Sequence, residues 1–342
     1  MLTDQQIKEI REHLEKSKNP LFFFDDDPDG LVAFLLLKKK VKRGKGICVK
    51  ASPMSESIYL TKIRENKPDR VFILDRPVLN QELIDKIKVP IVWIDHHTPL
   101  QRENVNYFNP MKGDKPDNRP TSYWCYRVVL ENLWVALIGI IGDWYVPEFM
   151  DKFEYKELIE GADNPPDILF KSRFGILVKV YSFVLKGQTS DVKKSIKILS
   201  EIESPYEILD QTTERGKFIW KRFEKINKEY ENLLNKAFEI PVEDSLYLFK
   251  YPSTRMSFTG ALANELLCKV DAKLIIIARE KGEDVRLSLR SSKVKVLPML
   301  RKALEGIDGY GGGHEYACGS SVKRHDFERF IENLKSELKK SS

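Results

Sequence analysis

Four carboxylates stand within five residues in the run Asp25-Asp26-Asp27-Pro28-Asp29-Gly30. Further acids and imidazoles follow at Asp75, at Asp95-His96-His97 and at Asp143. Acids crowded into a partly buried cleft raise each other's pKa, and desolvation adds to the effect, so they stay ionised together only around a cation. Mixed carboxylate and imidazole donors suit a borderline-to-hard divalent ion, Mn2+ ahead of Mg2+, whereas zinc would more often recruit cysteine or several histidines. A pair of such ions about 3.5 to 4 Å apart is an arrangement that hydrolyses phosphate esters. Each piece also has an ordinary reading. A lone Asp after a strand is usually a turn or cap residue, a His-His pair is exposed polarity, and Asp, Pro and Gly are common turn formers. Their joint placement at strand ends favours the metal reading.

The elements that must position these residues are legible as apolar runs. Residues 21–24, 47–50, 71–74 and 91–94 read as buried strands, with 105–108 as a further one, and helices fit near 56–65, 80–88, 120–132 and 133–142. Strands alternating with helical patterns predict a parallel sheet with crossover helices. In such a sheet the carboxyl ends of the strands share one crevice, and the acids all sit at those ends. The polar loop from Asn109-Pro110 to Arg119-Pro120-Thr121-Ser122 reads as a surface connection into a helix capped by Thr or Ser, in preference to a substrate-holding loop. Residues 205–239 form one long helical stretch whose apolar positions Ile219, Phe223, Ile226, Tyr230, Leu233 and Ala237 recur every three to four residues. The chain then restarts as mixed α/β, with strands near 245–250, 273–278 and 284–290 and helices near 258–269, 294–305 and 325–339. The expected division is 1–204 (helical from about 150), a connecting helix 205–239, and a smaller domain 240–342.

Composition narrows the class. The chain has 342 residues, 42 % hydrophobic and 32 % charged, with 57 Lys+Arg against 51 Asp+Glu and a formal charge of +6. That length and apolar content bury a real core and exclude a disulfide miniprotein or a disordered tail. The longest apolar run, Leu133 to Gly142, is far short of the roughly 20 residues of a membrane span. Cys48, Cys125, Cys268 and Cys318 lie far apart, and the N-terminus is charged and amphipathic, so a cytoplasmic protein is expected. The basic run Lys38 to Lys45 reads as the solvated end of a helix rather than a phosphate patch.

The glycine run Gly309-Tyr310-Gly311-Gly312-Gly313-His314 is expected to open a short helix, where backbone N–H groups approach an anion closely. Arg290 ends a strand nearby, and a guanidinium suits bidentate phosphate contact. Arg286 shares its strand face, with exposure to solvent an equal alternative.

In order, the acidic run at 25–30, the strand ending in Asp75, the triplet Asp95-His96-His97 and the sequence ending in Asp143 resemble motifs I to IV of the DHH phosphoesterase superfamily. The segments 284–292 and 309–319 resemble its DHHA1 domain with the GGGH signature. Within the superfamily the pattern is most similar to the RecJ-like exonucleases and nanoRNases. Asp26 is an added acid, and Pro28 stands where the motif usually has a small residue.

The resemblance implies a parallel-sheet DHH domain joined by a connecting helix to a DHHA1 domain. It makes Asp27 and Asp29 ligands of one ion each, Asp75 a bridge, and His96 and Asp143 further ligands, with Asp25 a ligand or a supporting base. His97 would contact the phosphate, with Asp95 orienting an imidazole, while Arg290, Gly312, Gly313 and His314 would hold the phosphate or terminal nucleotide. The implied protein uses two Mn2+ ions, with Mg2+ a substitute, to hydrolyse single-stranded DNA, RNA or short oligonucleotides to nucleoside monophosphates. A replication or repair protein is a further expected partner, and no membrane is involved. The alternatives are a hydrolase of small phosphoesters, such as cyclic dinucleotides or phosphoadenosine phosphate, and a non-catalytic replication scaffold.

Overall fold

The computed structural model describes residues 1–50, 56–113, 115–253 and 256–340. The chain forms two compact units, Met1–Glu224 and Lys225–Ser342.

The first unit begins with α1 (Asp4–Lys16), closed by a capping box between Thr3 and Gln6. It continues through β1 (Pro20–Asp25), α2 (Pro28–Val41), β2 (Lys45–Val49), α3 (Glu56–Asn66), β3 (Arg70–Leu74), α4 (Gln81–Lys86), β4 (Ile91–Ile94) and β5 (Asn106–Phe108). The strands form an all-parallel sheet in the order β2-β1-β3-β4-β5. Chain order reverses between β1 and β3, so the crevice at the carboxyl ends of these two strands is where such a sheet takes its ligand. Both faces are covered, which explains why β1, β3 and β4 read as unbroken apolar runs. Leu21, Phe23, Val71, Ile73 and Trp93 point to one face with Tyr59 of α3 and Leu83 of α4. Phe22, Phe24 and Phe72 point to the other, where Phe22 stacks on Phe72 and Phe24 on Phe34 of α2.

On that second face α2 is joined by α5 (Thr121–Val129) and α6 (Leu133–Gly142). Gly139 allows the close approach: a Cβ there would lie 2.7 Å from Ser122 Oγ of α5 and 2.8 Å from Val32 of α2. Helices α7 (Pro165–Lys171), α8 (Arg173–Phe183), α9 (Thr189–Leu199) and α10 (Pro205–Leu209) complete the layer, and α11 (Glu214–Phe238) runs through the division between the units. The single helix expected over 205–239 is thus two helices. Gln211, with φ 54°, lies in the break between them. The basic run ends α2 as expected, with Lys40, Lys42 and Lys45 exposed, but several of its cations also have partners. Lys38 and Lys39 donate to the carbonyls of Gly44 and Ile202, Lys40 pairs with Glu131, and Arg43 donates to the carbonyls of Ser17 and Glu15.

The second unit holds β6 (Leu246–Pro252), α12 (Thr259–Lys269), β7 (Leu274–Lys281), β8 (Asp284–Arg290), α13 (Val296–Ala303), β9 (Gly309–Gly313), β10 (Ala317–Lys323) and α14 (Phe327–Lys340). Its mixed sheet has the order β6-β7-β8-β10-β9. One face carries Ile276, Ala278, Val285, Leu287, Leu289 and Val322 against α13 and α14; the other meets α12 at β7 and β8. The glycine run is therefore β9, an edge strand paired antiparallel with β10, and not the start of a helix. Its glycines answer to packing: a Cβ on Gly311 would lie 2.9 Å from the Gly319 carbonyl and 3.0 Å from Leu300 of α13. Among the described residues no helix is long and apolar enough to cross a membrane.

Candidate metal centre

Each acid reaches the crevice by a local device. Gly30 permits the turn after β1, because a Cβ there would lie 2.6 Å from the Asp25 amide. Asp27 is the N-cap of α2 and accepts from the Gly30 N–H at 2.9 Å, while Pro28 occupies the start of that helix, where its missing N–H costs nothing. Asp75 follows β3 with φ 56°, a left-handed conformation that an Asp tolerates at local cost and that functional sites often retain. Asp143 ends α6 and is the most open member, its side chain 38 % exposed. Asp26 is exposed.

Asp29, 2 % exposed, has a partner that local sequence does not show. Its Oδ2 accepts from the Thr121 N–H and its Oδ1 from the Ser122 N–H, both at 2.8 Å, and the Ser122 hydroxyl also donates to it. The expected Thr or Ser cap of α5 is thus replaced by a carboxylate 92 residues away in sequence. The helix start supplies partial positive charge to a buried acid.

These devices converge. His96 Nε2 lies 3.5 Å from Asp75, 3.6 Å from Asp143 and 4.0 Å from Asp29. Candidate ligand atoms of Asp29, His96 and Asp143 lie within 4.8 Å of one another, as do those of Asp25, Asp27 and Asp75, and those of Asp75, His96 and His97. His96 Nδ1 lies 2.9 Å from the Asn118 carbonyl, so in the neutral ring Nδ1 carries the proton and Nε2 presents a lone pair to the acids. His97 Nδ1 lies 2.8 Å from Asp95, itself fully buried and held by Asn109 and Tyr107. Asp95 thus orients His97, whose ring is a quarter exposed.

The electrostatics describe a place short of positive charge. Burial first, then the neighbouring carboxylates, push Asp27 and Asp75 well above the usual carboxylate range. Burial raises Asp143 to about 6 against the pull of His96. For His96 burial opposes the charged ring, yet Asp143 and Asp29 outweigh it and lift the value to about 9. A cluster that draws protons onto an imidazole and its carboxylates is one that a divalent cation would relieve. The oxygen-rich donor set with one histidine fits Mn2+ or Mg2+.

Two features were not foreseen. Arg76, directly after the strand acid, is buried against Asp25; its position beside Asp75 was the only sequence signal. Arg119 stacks on Tyr123 and Trp124 and is bound through its Nε and Nη2 to Asp117, which fixes the loop whose Asn118 carbonyl holds His96.

In the second unit Arg290 pairs across the sheet with Ala317, and His314 exchanges backbone bonds with Ala317, so both stand at one end of the sheet. Arg290 donates to Asn264 Oδ1 at 2.7 Å and to the carbonyls of Leu289 and Cys318, and burial pulls it down to about 10. Gly312 lies beside Gly319, with nothing within 4 Å of a Cβ built on it. On the same sheet face stand Arg286, exposed, and Tyr310, 71 % exposed.

The fold and this centre define a two-unit α/β protein of the DHH type with a DHHA1 module. Residues 246–340 match the DHHA1 domain family. Among solved structures, the chain is similar to RecJ from Thermus thermophilus in complex with Mn2+, at 14 % identity and TM-score 0.73, over 99 % of this chain and 55 % of that one. It is also similar to an exonuclease RecJ bound to manganese (14 % identity, TM-score 0.65, 98 % and 95 % covered) and to CDC45 from Entamoeba histolytica (12 %, 0.52, 97 % and 98 %). The chain therefore spans about half the length of the Thermus protein. No curated protein matches it in sequence. Residues 246–340 are thus a DHHA1 domain, and the chain as a whole shares the fold of the RecJ structures.

Proposed function

We propose that this protein is a metal-dependent phosphodiesterase that hydrolyses single-stranded DNA or RNA, or short oligonucleotides, to nucleoside monophosphates. The observation that carries the reading is the convergence of Asp27, Asp29, Asp75, His96 and Asp143 from separate strand and helix ends. These residues would hold two divalent ions, Mn2+ or Mg2+, with Asp75 placed to be shared. When bound, such ions polarise the phosphoryl oxygen and lower the pKa of water. His97, its ring fixed by Asp95 and a quarter exposed, is placed to contact the phosphoryl group. In the second unit, Arg290 has amide and carbonyl partners and offers its charge to a phosphate. Tyr310 offers a face on which a base stacks, beside the open floor of Gly312 and Gly319. The exonuclease named among the similar structures supports the substrate class, as does the match to the DHHA1 domain.

The test is digestion of end-labelled DNA and RNA ladders, from dinucleotide to about 20 nucleotides, with Mn2+, Mg2+ or chelator. The expected result is metal-dependent release of monophosphates from one end, abolished in Asp75→Asn. Turnover confined to the dinucleotide would point to a small-substrate hydrolase, and none with any substrate would leave the scaffold reading.

A further inference from the structure

Arg119 joins the supports of three candidate ligands. Its Nε and Nη2 grip Asp117 and its Nη1 meets the Tyr123 hydroxyl, so each guanidinium nitrogen has a partner. The guanidinium carbon lies over the rings of Tyr123 and Trp124, 4.5 and 5.0 Å from their centroids, and the Arg119 carbonyl accepts from the Trp124 indole at 3.2 Å. The side chains of Arg119 and Asp117 are only 17 % and 13 % exposed, so solvent screens this pair much less than a surface one.

Three routes lead from this clamp to the acidic crevice. Asn118, between the two members of the pair, places its carbonyl 2.9 Å from His96 Nδ1, which fixes the ring and leaves Nε2 to face the acids. Thr121 and Ser122, just beyond Arg119, give their backbone N–H groups to Asp29 at 2.8 Å each, in the same turn of α5 that carries the two rings under the guanidinium. Past Asp143, which ends α6, Tyr145 lies against Arg119, and Glu148 accepts from the Tyr123 hydroxyl. Asp29, His96 and Asp143 are one of the groups whose candidate ligand atoms lie within 4.8 Å of one another. Among the described contacts none joins Arg119 itself to Asp25, Asp27 or Asp75.

The partners also say what Arg119 is not. A carboxylate balances its charge, whereas Arg290 in the second unit is held by an amide and two carbonyls. Arg119 is therefore suited to hold a loop, and less suited to receive a phosphate. A bare charge effect would have the opposite sign from a brace. A cation near the ions repels them, so its removal would tighten their binding, whereas removal of a brace loosens it.

We propose that Arg119 is a positioning residue for one of the two metal positions, the one formed by Asp29, His96 and Asp143. Its grip on Asp117 and on the rings of α5 keeps these three ligands in reach of a common ion. The inference rests on the proposed metal centre and divides it into a position that Arg119 braces and one, at Asp25, Asp27 and Asp75, that it does not.

The experiment is a Mn2+ titration of the full chain, with unbound ion read from the sharp electron paramagnetic resonance signal of hexaaquo Mn2+, followed by kinetics on a labelled oligonucleotide. In Arg119→Gln one ion binds about 10- to 100-fold more weakly, the loss typical when the partner behind a metal ligand is removed, and it is the ion that Asp143→Asn also weakens. The other ion stays near its wild-type affinity. Arg119→Lys keeps the charge but not the planar fork, so it weakens the same ion. Excess Mn2+ restores turnover in both variants, and KM for the oligonucleotide does not rise. Asp117→Asn leaves the guanidinium on its rings, removes the charge that grips it and weakens the same ion, which supplies a check that does not depend on Arg119→Gln folding. Tighter binding in Arg119→Gln, with Arg119→Lys at wild type, would make Arg119 an electrostatic element and overturn the inference. So would unchanged Mn2+ binding with a raised KM, the mark of a phosphate contact, or an equal weakening of both ions, the mark of general damage to the fold. Those patterns leave the wild-type metal centre standing, whereas a wild type that binds no Mn2+ overturns the metal centre itself along with the inference.

Discussion

At the scale of single residues, the proton is the competitor of the metal ion, and this fixes the direction of a pH effect. His96 is lifted from 6.5 to about 9 in the fold. A histidine whose folded value is raised contributes stability that is fully present below 6.5 and lost as pH rises through 9. Asp143 is lifted from 3.8 to about 6, so the fold prefers its neutral form, and stability falls as pH rises from about 4 to 6. Both terms have the same sign. In chelator the melting temperature should fall as pH goes from 6.5 to 9, and added Mn2+ should raise it by more at pH 8.5 than at pH 6.5. A chelated protein whose melting temperature holds steady or climbs across that range would refute the assignment. The acids of this centre were legible because Asp is conspicuous at the end of an apolar strand. The partners of two of them were not: Asp29 meets α5 across 92 residues, and Arg76 looks like any residue after a strand until Asp25 is placed beside it.

At the scale of elements, the centre depends on how closely α6 seats on α2 and α5, because α6 ends in Asp143 and α5 begins on Asp29. Gly139 sets that distance. Gly139→Ala should cost about 1 to 3 kcal/mol, the range for overpacking a core, read by chemical denaturation, and should weaken Mn2+ binding while far-UV circular dichroism stays native-like. Unchanged stability would mean that the helices part without consequence. In the second unit the exposed Tyr310 makes a different demand. Base-aromatic stacking is worth about 1 to 3 kcal/mol, so Tyr310→Ala should raise KM for an oligonucleotide roughly 5- to 150-fold. Hydrolysis of a small aryl phosphodiester, which offers no base, should not change. An equal effect on both substrates would show that Tyr310 does something other than stack. The parallel strands were readable because a strand buried on both faces is one apolar run. β9 was not, because Gly309–Gly313 lacks the branched and aromatic residues that mark strands, and its pairing with β10 is fixed by tight packing under α13. The helix expected there would have carried a dipole at its start, which an edge strand lacks; the strand offers only the unpaired amides along its open side.

At the scale of the whole molecule, a formal charge of +6 permits a polyanionic ligand without demanding one, and the location of the charge says more. The densest basic run, from Lys38 to Lys45, is largely committed within the first unit: Lys38, Lys39 and Arg43 to carbonyls, Lys40 to Glu131. Sequence could not show this, because it depends on where residues near 15, 131 and 202 come to lie. Many of the remaining cations are paired with acids on the surface, as Lys250 is with Glu280, Lys293 with Asp271 and Lys323 with Asp284. Substrate affinity should then come from a few placed contacts, Arg290 and His97 among them, rather than from a long basic track. Each phosphate neutralised on a single strand contributes about −0.7 to the slope of log K against log salt. With Ca2+ in place of the catalytic ion to prevent turnover, binding of a labelled 12-mer should give a slope no steeper than about −3, corresponding to roughly four phosphates. A slope of −6 or beyond would require an extended cationic groove, and the substrate would then be held along its length instead of at its end.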